Sequence, residues 1–107
     1  MAWFVEFYKP IKNNNKSISI THFKLYQNYP NPYNPTTTIS FDLPKSSFVR
    51  LKIYDIQGKI VSILLNKRVD SGSHSITFNS NGLPSGVYFY RLKTAEFSDI
   101  RRMLLLK

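Results

Sequence analysis

Cysteine is absent from this 107-residue chain. That excludes a disulfide framework and any thiolate metal site, so a domain of this size must be held by packing alone. Acidic residues are scarce, six against fifteen Lys and Arg, which leaves a net charge of +9. The six carboxylates, Glu6, Asp42, Asp55, Asp70, Glu96 and Asp99, stand apart, with no spacing that suggests an acid/base pair. The two histidines, His22 and His74, have no metal-type partners near them in sequence. No nucleophile elbow, zinc-protease helix motif or phosphate loop occurs. The chain therefore reads as a non-enzyme that needs no cofactor and no metal.

Long apolar runs are also missing. No stretch of 18 apolar residues exists, so no helix is expected to span a membrane. Residues 1–8 are apolar but lack a basic leader and a small-residue cleavage site, and Glu6 interrupts them. They do not read as a signal peptide. The positive charge is scattered, with no run of five like charges and hence no basic arm. A basic domain surface is the plainest reading, contact with an anionic surface comes second, and nucleic-acid binding is the sharper but weakest one.

What is present is aromatic residue, 15% of the chain, and period-two alternation. Residues 1–22 contain the polar breaker Asn13-Asn14-Asn15-Lys16-Ser17 and read as a linker or the stump of an upstream region; residues 23–107 read as one domain. Residues 23–29 can form a first strand. Pro30, Pro32 and Pro35 then remove three backbone donors within six residues and restrict their predecessors, which demands a stiff edge or turn. Ile39, Phe41 and Leu43 alternate with polar residues, as do Val49, Leu51 and Ile53. Asp55 to Gly58 is a hairpin signal, residues 59–65 a further strand, and residues 66–73 a polar loop. His74, Ile76 and Phe78 alternate again, with His74 read as a packed or rim residue. A dense turn cluster spans residues 79–86. Residues 87–93 are the strongest strand, apolar or aromatic on both faces and so placed centrally. Residues 97–106 form the last. About seven short strands and no amphipathic helix predict an all-β, antiparallel Greek-key sandwich of the Ig-like or fibronectin-III-like kind. Tyr88, after Gly86, fits a tyrosine corner.

Five segments in order resemble a known family. Tyr26-Gln27-Asn28-Tyr29-Pro30-Asn31-Pro32-Tyr33-Asn34-Pro35 resembles the asparagine- and proline-rich opening box of type IX (Por) secretion C-terminal sorting domains, type A, with Tyr33 where Phe is usual. Leu51 to Lys59, Ser71-Gly72-Ser73-His74, Gly82 to Tyr88, and the basic–aliphatic stretch Arg102 to Lys107 are similar to its later signatures. The resemblance covers roughly residues 23–107.

This resemblance implies a non-catalytic sorting signal that directs an attached cargo through an outer-membrane translocon. The expected course is export, passage through the periplasm, and release or attachment at the cell surface. The implied partners are the translocon, an upstream cargo and a sortase-like peptidase, which would cut near residues 13–22. The implied recognition residues are Pro30, Asn31, Pro32, Gly86, Tyr88, Arg102 and Lys107. The prolines, Gly86 and Tyr88 also define turns, so each has a structural reading beside the functional one. Family cargo carries a signal peptide and a large upstream domain, so this sequence reads as a fragment, an isolated module or a truncated gene. The alternative is a structural or adhesive Ig-like module, akin to a flagellar hook-capping or carbohydrate-binding accessory domain.

Overall fold

The computed structural model describes residues 19–107. Two expectations, the stump up to residue 18 and the first part of the cleavage region, lie outside these residues. Seven antiparallel strands follow: β1 (Lys24–Leu25), β2 (Thr36–Leu43), β3 (Ser47–Tyr54), β4 (Ile60–Val69), β5 (Gly72–Asn79), β6 (Gly86–Lys93) and β7 (Ser98–Leu105). No helix occurs among the described residues. One sheet has the order β1-β2-β5 and the other β4-β3-β6-β7. The chain changes sheets at β2–β3, β4–β5 and β5–β6, as Greek-key connections do. Because β4 pairs with β3 and not with β5, the fourth strand joins the larger sheet, so the seven-strand antiparallel sandwich expected divides as three strands and four.

Alternation places the core. Ile39, Phe41 and Leu43 from β2 meet Val49, Leu51 and Ile53 from β3, Tyr88, Tyr90 and Leu92 from β6, and Met103 and Leu105 from β7. Leu25, Tyr33 and Phe78 complete the cluster. Each fully buried aliphatic or aromatic side chain contributes roughly 1.5–3 kcal/mol, and a cysteine-free domain has little else to draw on. β6 lies between β3 and β7, the central place expected of it; Tyr88, Tyr90 and Leu92 fill its buried face, while Val87, Phe89 and Arg91 on the other are half-buried and Lys93 is exposed.

The hairpins follow from their turn residues. Asp55 Oδ1 accepts from the backbone N–H groups of Gln57 and Lys59, each at 2.9 Å. Gly58 takes φ +83°, a left-handed conformation that a Cβ disfavours, and donates its N–H to Asp55 O at 3.0 Å. Residues 66–73 depart from expectation. β4 runs on to Val69 and β5 starts at Gly72, leaving only Asp70 and Ser71 between them. The polar run Asn66-Lys67-Arg68 suits a strand because β4 is a sheet edge, where charged residues are compatible with an exposed ladder. Register shifts between Leu51 and Lys52 and between Ile53 and Tyr54 blur the phase of β4, so its alternation is weak in sequence. His74 stacks on Phe41 at 5.4 Å, and its ring nitrogen meets Asp70 O at 2.7 Å, a rim position.

Candidate functional site

The described residues hold no group of three or more metal-ligating side chains. The organised feature is an edge, where the proline box lies along β7. In β7 the groups of Asp99, Arg101, Met103 and Leu105 face β6, leaving those of Ile100, Arg102, Leu104 and Leu106 outward. The box meets these outward groups. Tyr33 N donates to Leu104 O at 3.0 Å, and Leu106 N donates to Tyr33 O at 3.0 Å. Leu104 N donates to Asn31 Oδ1 at 2.9 Å. Gln27 Nε2 donates to Arg102 O at 2.7 Å. Ile100 N is met from within β7, by Asp99 Oδ1 at 2.9 Å. An edge that would otherwise offer an open ladder is thus covered from Arg102 O to Leu106 N by the chain's own opening segment.

A buried polar knot holds the box in place. Tyr90, fully buried in the core, donates its hydroxyl to Tyr26 O at 2.6 Å and accepts from Asn28 N at 2.7 Å. Asn28 Nδ2 donates to Pro30 O at 3.1 Å and to Thr37 Oγ1 at 3.0 Å. Thr37 donates in turn to Pro30 O at 2.8 Å. Asn28 and Thr37 are both buried, so each unmet polar group would carry a desolvation cost. Burial pushes the Tyr90 phenol up to about 12. The peptide bonds preceding Pro30, Pro32 and Pro35 are cis.

The seven residues implied by the resemblance fall into two groups. Pro30, Asn31, Pro32 and Arg102 are exposed on the β7 edge. Asn31, Pro32 and Arg102 line one shallow groove of about 250 Å³ together with Val87, Met103 and Leu104. Lys107 is exposed beyond the end of β7, and its N–H donates to Ser85 Oγ at 2.9 Å. Gly86 pairs with Leu105 and takes φ +150°. Tyr88 is buried instead, pairing with Met103 and donating its hydroxyl to Pro84 O at 2.6 Å, the geometry of a tyrosine corner. Its phenol is pushed up, chiefly by burial.

Sequence reasoning missed Gln27, Asn28, Thr37 and Tyr90 as the residues that seat the box. One signal was available for Thr37: it shares the parity of Ile39, Phe41 and Leu43, which puts a polar residue on the core face. Tyr33 sits where the resemblance expects Phe. It packs on Phe78 at 6.4 Å, and its buried hydroxyl lies toward Ser80, whose own hydroxyl donates to Pro35 O at 2.8 Å.

The chain matches the family described as the secretion system C-terminal sorting domain over residues 27–106, and it belongs to that family. The protein is a C-terminal sorting signal of type IX secretion, which places it with the secretion machinery, an upstream cargo and a secreted or cell-surface destination. Such sorting domains are non-catalytic in general. No curated protein matches the chain.

Proposed function

We propose that the sorting address is the composite edge made by the proline box and β7, read by the outer-membrane translocon after the cargo has reached the periplasm. Its exposed members are Pro30, Asn31, Pro32, Arg102 and Lys107; Gly86 and Tyr88 act by fixing the crossover beneath it. The observation that carries this reading is the set of hydrogen bonds from Gln27, Asn31 and Tyr33 to β7, which joins residues about 70 positions apart into one surface. Residues 23–107 form the signal, and residues 1–22 connect it to cargo. A sortase-like peptidase would cut within residues 13–22, ahead of β1. The domain performs no chemistry of its own.

The test is export of a fluorescent reporter with its own signal peptide, fused ahead of the full 107-residue chain in a host with a type IX system. Deleting the last residues is a poor probe, because Leu105 is fully buried and pairs with Gly86. The double substitution Asn31→Ala with Arg102→Gln changes only exposed side chains. The reporter should reach the medium or surface with the native domain and stay in the periplasm with the double variant. Equal export by a folded double variant would sink the composite-edge reading.

A further inference from the structure

The outer face of the four-stranded sheet carries a second organised feature, away from the β7 edge. In β3 the residues alternating with the buried Val49, Leu51 and Ile53 are Phe48, Arg50, Lys52 and Tyr54. In β6 those alternating with Tyr88, Tyr90 and Leu92 are Val87, Phe89, Arg91 and Lys93. Pairing sets Arg50 opposite Lys93 and Lys52 opposite Arg91. The backbone positions of four cationic residues therefore mark a small square, about 5 Å across the strands and about 7 Å along them, with the Arg50 guanidinium lying over the Phe48 ring at 5.2 Å. Tyr54 and Phe89, the next cross-strand pair, border it.

Like charges directly opposite on a sheet oppose strand pairing. Here two such pairs are adjacent, and no carboxylate of the described residues answers them. The outward residues of β7, Ser98, Ile100, Arg102 and Leu104, include no acid, and neither do Ile60, Ile63, Asn66 and Arg68, their counterparts on β4. Both ion pairs among the described residues, Lys45 with Glu96 and Arg101 with Asp99, lie elsewhere. Arg91 Nε donates to Ser98 Oγ at 3.0 Å, which orients its guanidinium. Arg50, Lys52, Tyr54, Arg91 and Lys93 line a concavity of about 260 Å³.

We propose that this square is a binding site for a compact bisphosphorylated sugar. A phosphate monoester carries about −1.5 to −2 charges at pH 7, so two of them match four cations. Two arginines supply planar forks suited to phosphate oxygens, and two lysines supply point charges. An acidic peptide lying along the strands fits less well, because it brings one carboxylate, a single charge, to each cross-strand pair of cations, where a phosphate brings about two. The Tyr54–Phe89 border offers an apolar wall to the ring that carries the phosphates. The headgroup is either soluble or borne on a membrane glycolipid, and the same residues serve both.

The full chain is titrated with fructose 1,6-bisphosphate at moderate salt, following backbone amide shifts. The native protein should saturate, with shifts centred on Arg50, Lys52, Tyr54, Arg91 and Lys93. Arg50→Gln with Lys93→Gln should weaken binding about tenfold or more, as loss of charged hydrogen bonds implies, and Lys52→Gln with Arg91→Gln should do the same. Lys24→Gln with Lys59→Gln removes the same charge from the other sheet and a hairpin tip, and should change affinity less than about twofold. The square variants should keep or raise the ligand-free unfolding midpoint, since they relieve like-charge opposition. Vesicles containing a bisphosphorylated glycolipid, compared with phosphatidylglycerol vesicles of equal charge, separate the sources: selective vesicle binding points to a lipid-borne headgroup, and its absence with retained soluble binding to a free one. Equal loss in the Lys24/Lys59 variant, or tighter binding of an acidic peptide or a DNA oligonucleotide at the same residues, overturns the proposal.

Discussion

Replacing Tyr90 by Phe removes one oxygen from the core and leaves the ring's packing intact. That oxygen serves two main-chain groups of the opening segment, the carbonyl of Tyr26 at 2.6 Å and the N–H of Asn28 at 2.7 Å. Asn28 is buried and the bond to Tyr26 O is part-buried, so the substitution leaves these main-chain groups largely shielded from solvent. Each buried group left unmet costs about 1–3 kcal/mol, so Tyr90→Phe should destabilise the domain by about 2–4 kcal/mol. Against a total of about 5–15 kcal/mol for a domain, that is a large fraction. Urea unfolding of the full chain should show a lower midpoint with an unchanged slope, because the exposed surface hardly differs. Hydrogen exchange adds a local readout: the Asn28 amide should lose protection before the strand amides of β3 and β6. A loss below about 0.5 kcal/mol, smaller than a typical single hydrogen bond, would refute the view that this hydroxyl seats the box.

Two further outcomes follow from the same geometry. Tyr90 ionises near 12 in the folded domain against 10.0 when free, so its neutral form is favoured by folding. Its contribution is complete below pH 10 and is lost as pH rises from about 10 to 12, roughly 2–3 kcal/mol in all; alkaline unfolding followed by tyrosinate absorbance should shift less steeply in Tyr90→Phe than in the native chain, and identical curves would count against it. Asn31→Ala removes the acceptor for Leu104 N at an exposed site, so unfolding should change by less than about 1 kcal/mol, while the Leu104 amide exchanges markedly faster; unchanged exchange would show that the box does not cover β7 in solution.

Much of the fold was legible because one face of each strand is buried and the other is not. β2 and β3 alternate without interruption, and Ile39, Phe41 and Leu43 and then Val49, Leu51 and Ile53 were set on one face from parity alone; β6 opens apolar or aromatic on both sides, so parity there did not tell Tyr88 and Tyr90 from Val87 and Phe89. β4 was not legible beyond residue 65. It is an edge strand with irregular pairing to β3, it buries no residue completely, and its last turns carry Asn66, Lys67 and Arg68. Composition there resembles a loop because an exposed edge asks the same of a sequence as a loop does. The site divides the same way. Asn31, Pro32 and Arg102 could be named from the family likeness, but their meeting depends on Gln27 reaching Arg102 O, a pairing 75 residues apart that no local pattern encodes. The basic square was equally hidden. Arg50 and Lys52 look like an ordinary polar face, as do Arg91 and Lys93, until β3 and β6 are set side by side.

The knot also explains why the opening box and the last strand are coupled. Tyr90 lies on β6, the strand that pairs with β7, with Tyr90 opposite Arg101. Its hydroxyl fixes Tyr26 and Asn28; Asn28 and Thr37 then hold Pro30 O from the side of β2. With both ends of the turn anchored, Asn31 and Tyr33 reach the outward groups of Leu104 and Leu106. The box cannot take this position before β6 and β7 have paired and β2 has packed over them. The composite edge therefore exists only in the folded sandwich, and a translocon that reads it receives a report on folding together with an address. A short linear peptide carrying residues 26–35 should for that reason compete poorly with the intact domain, since it brings the side chains without the strand that arranges them.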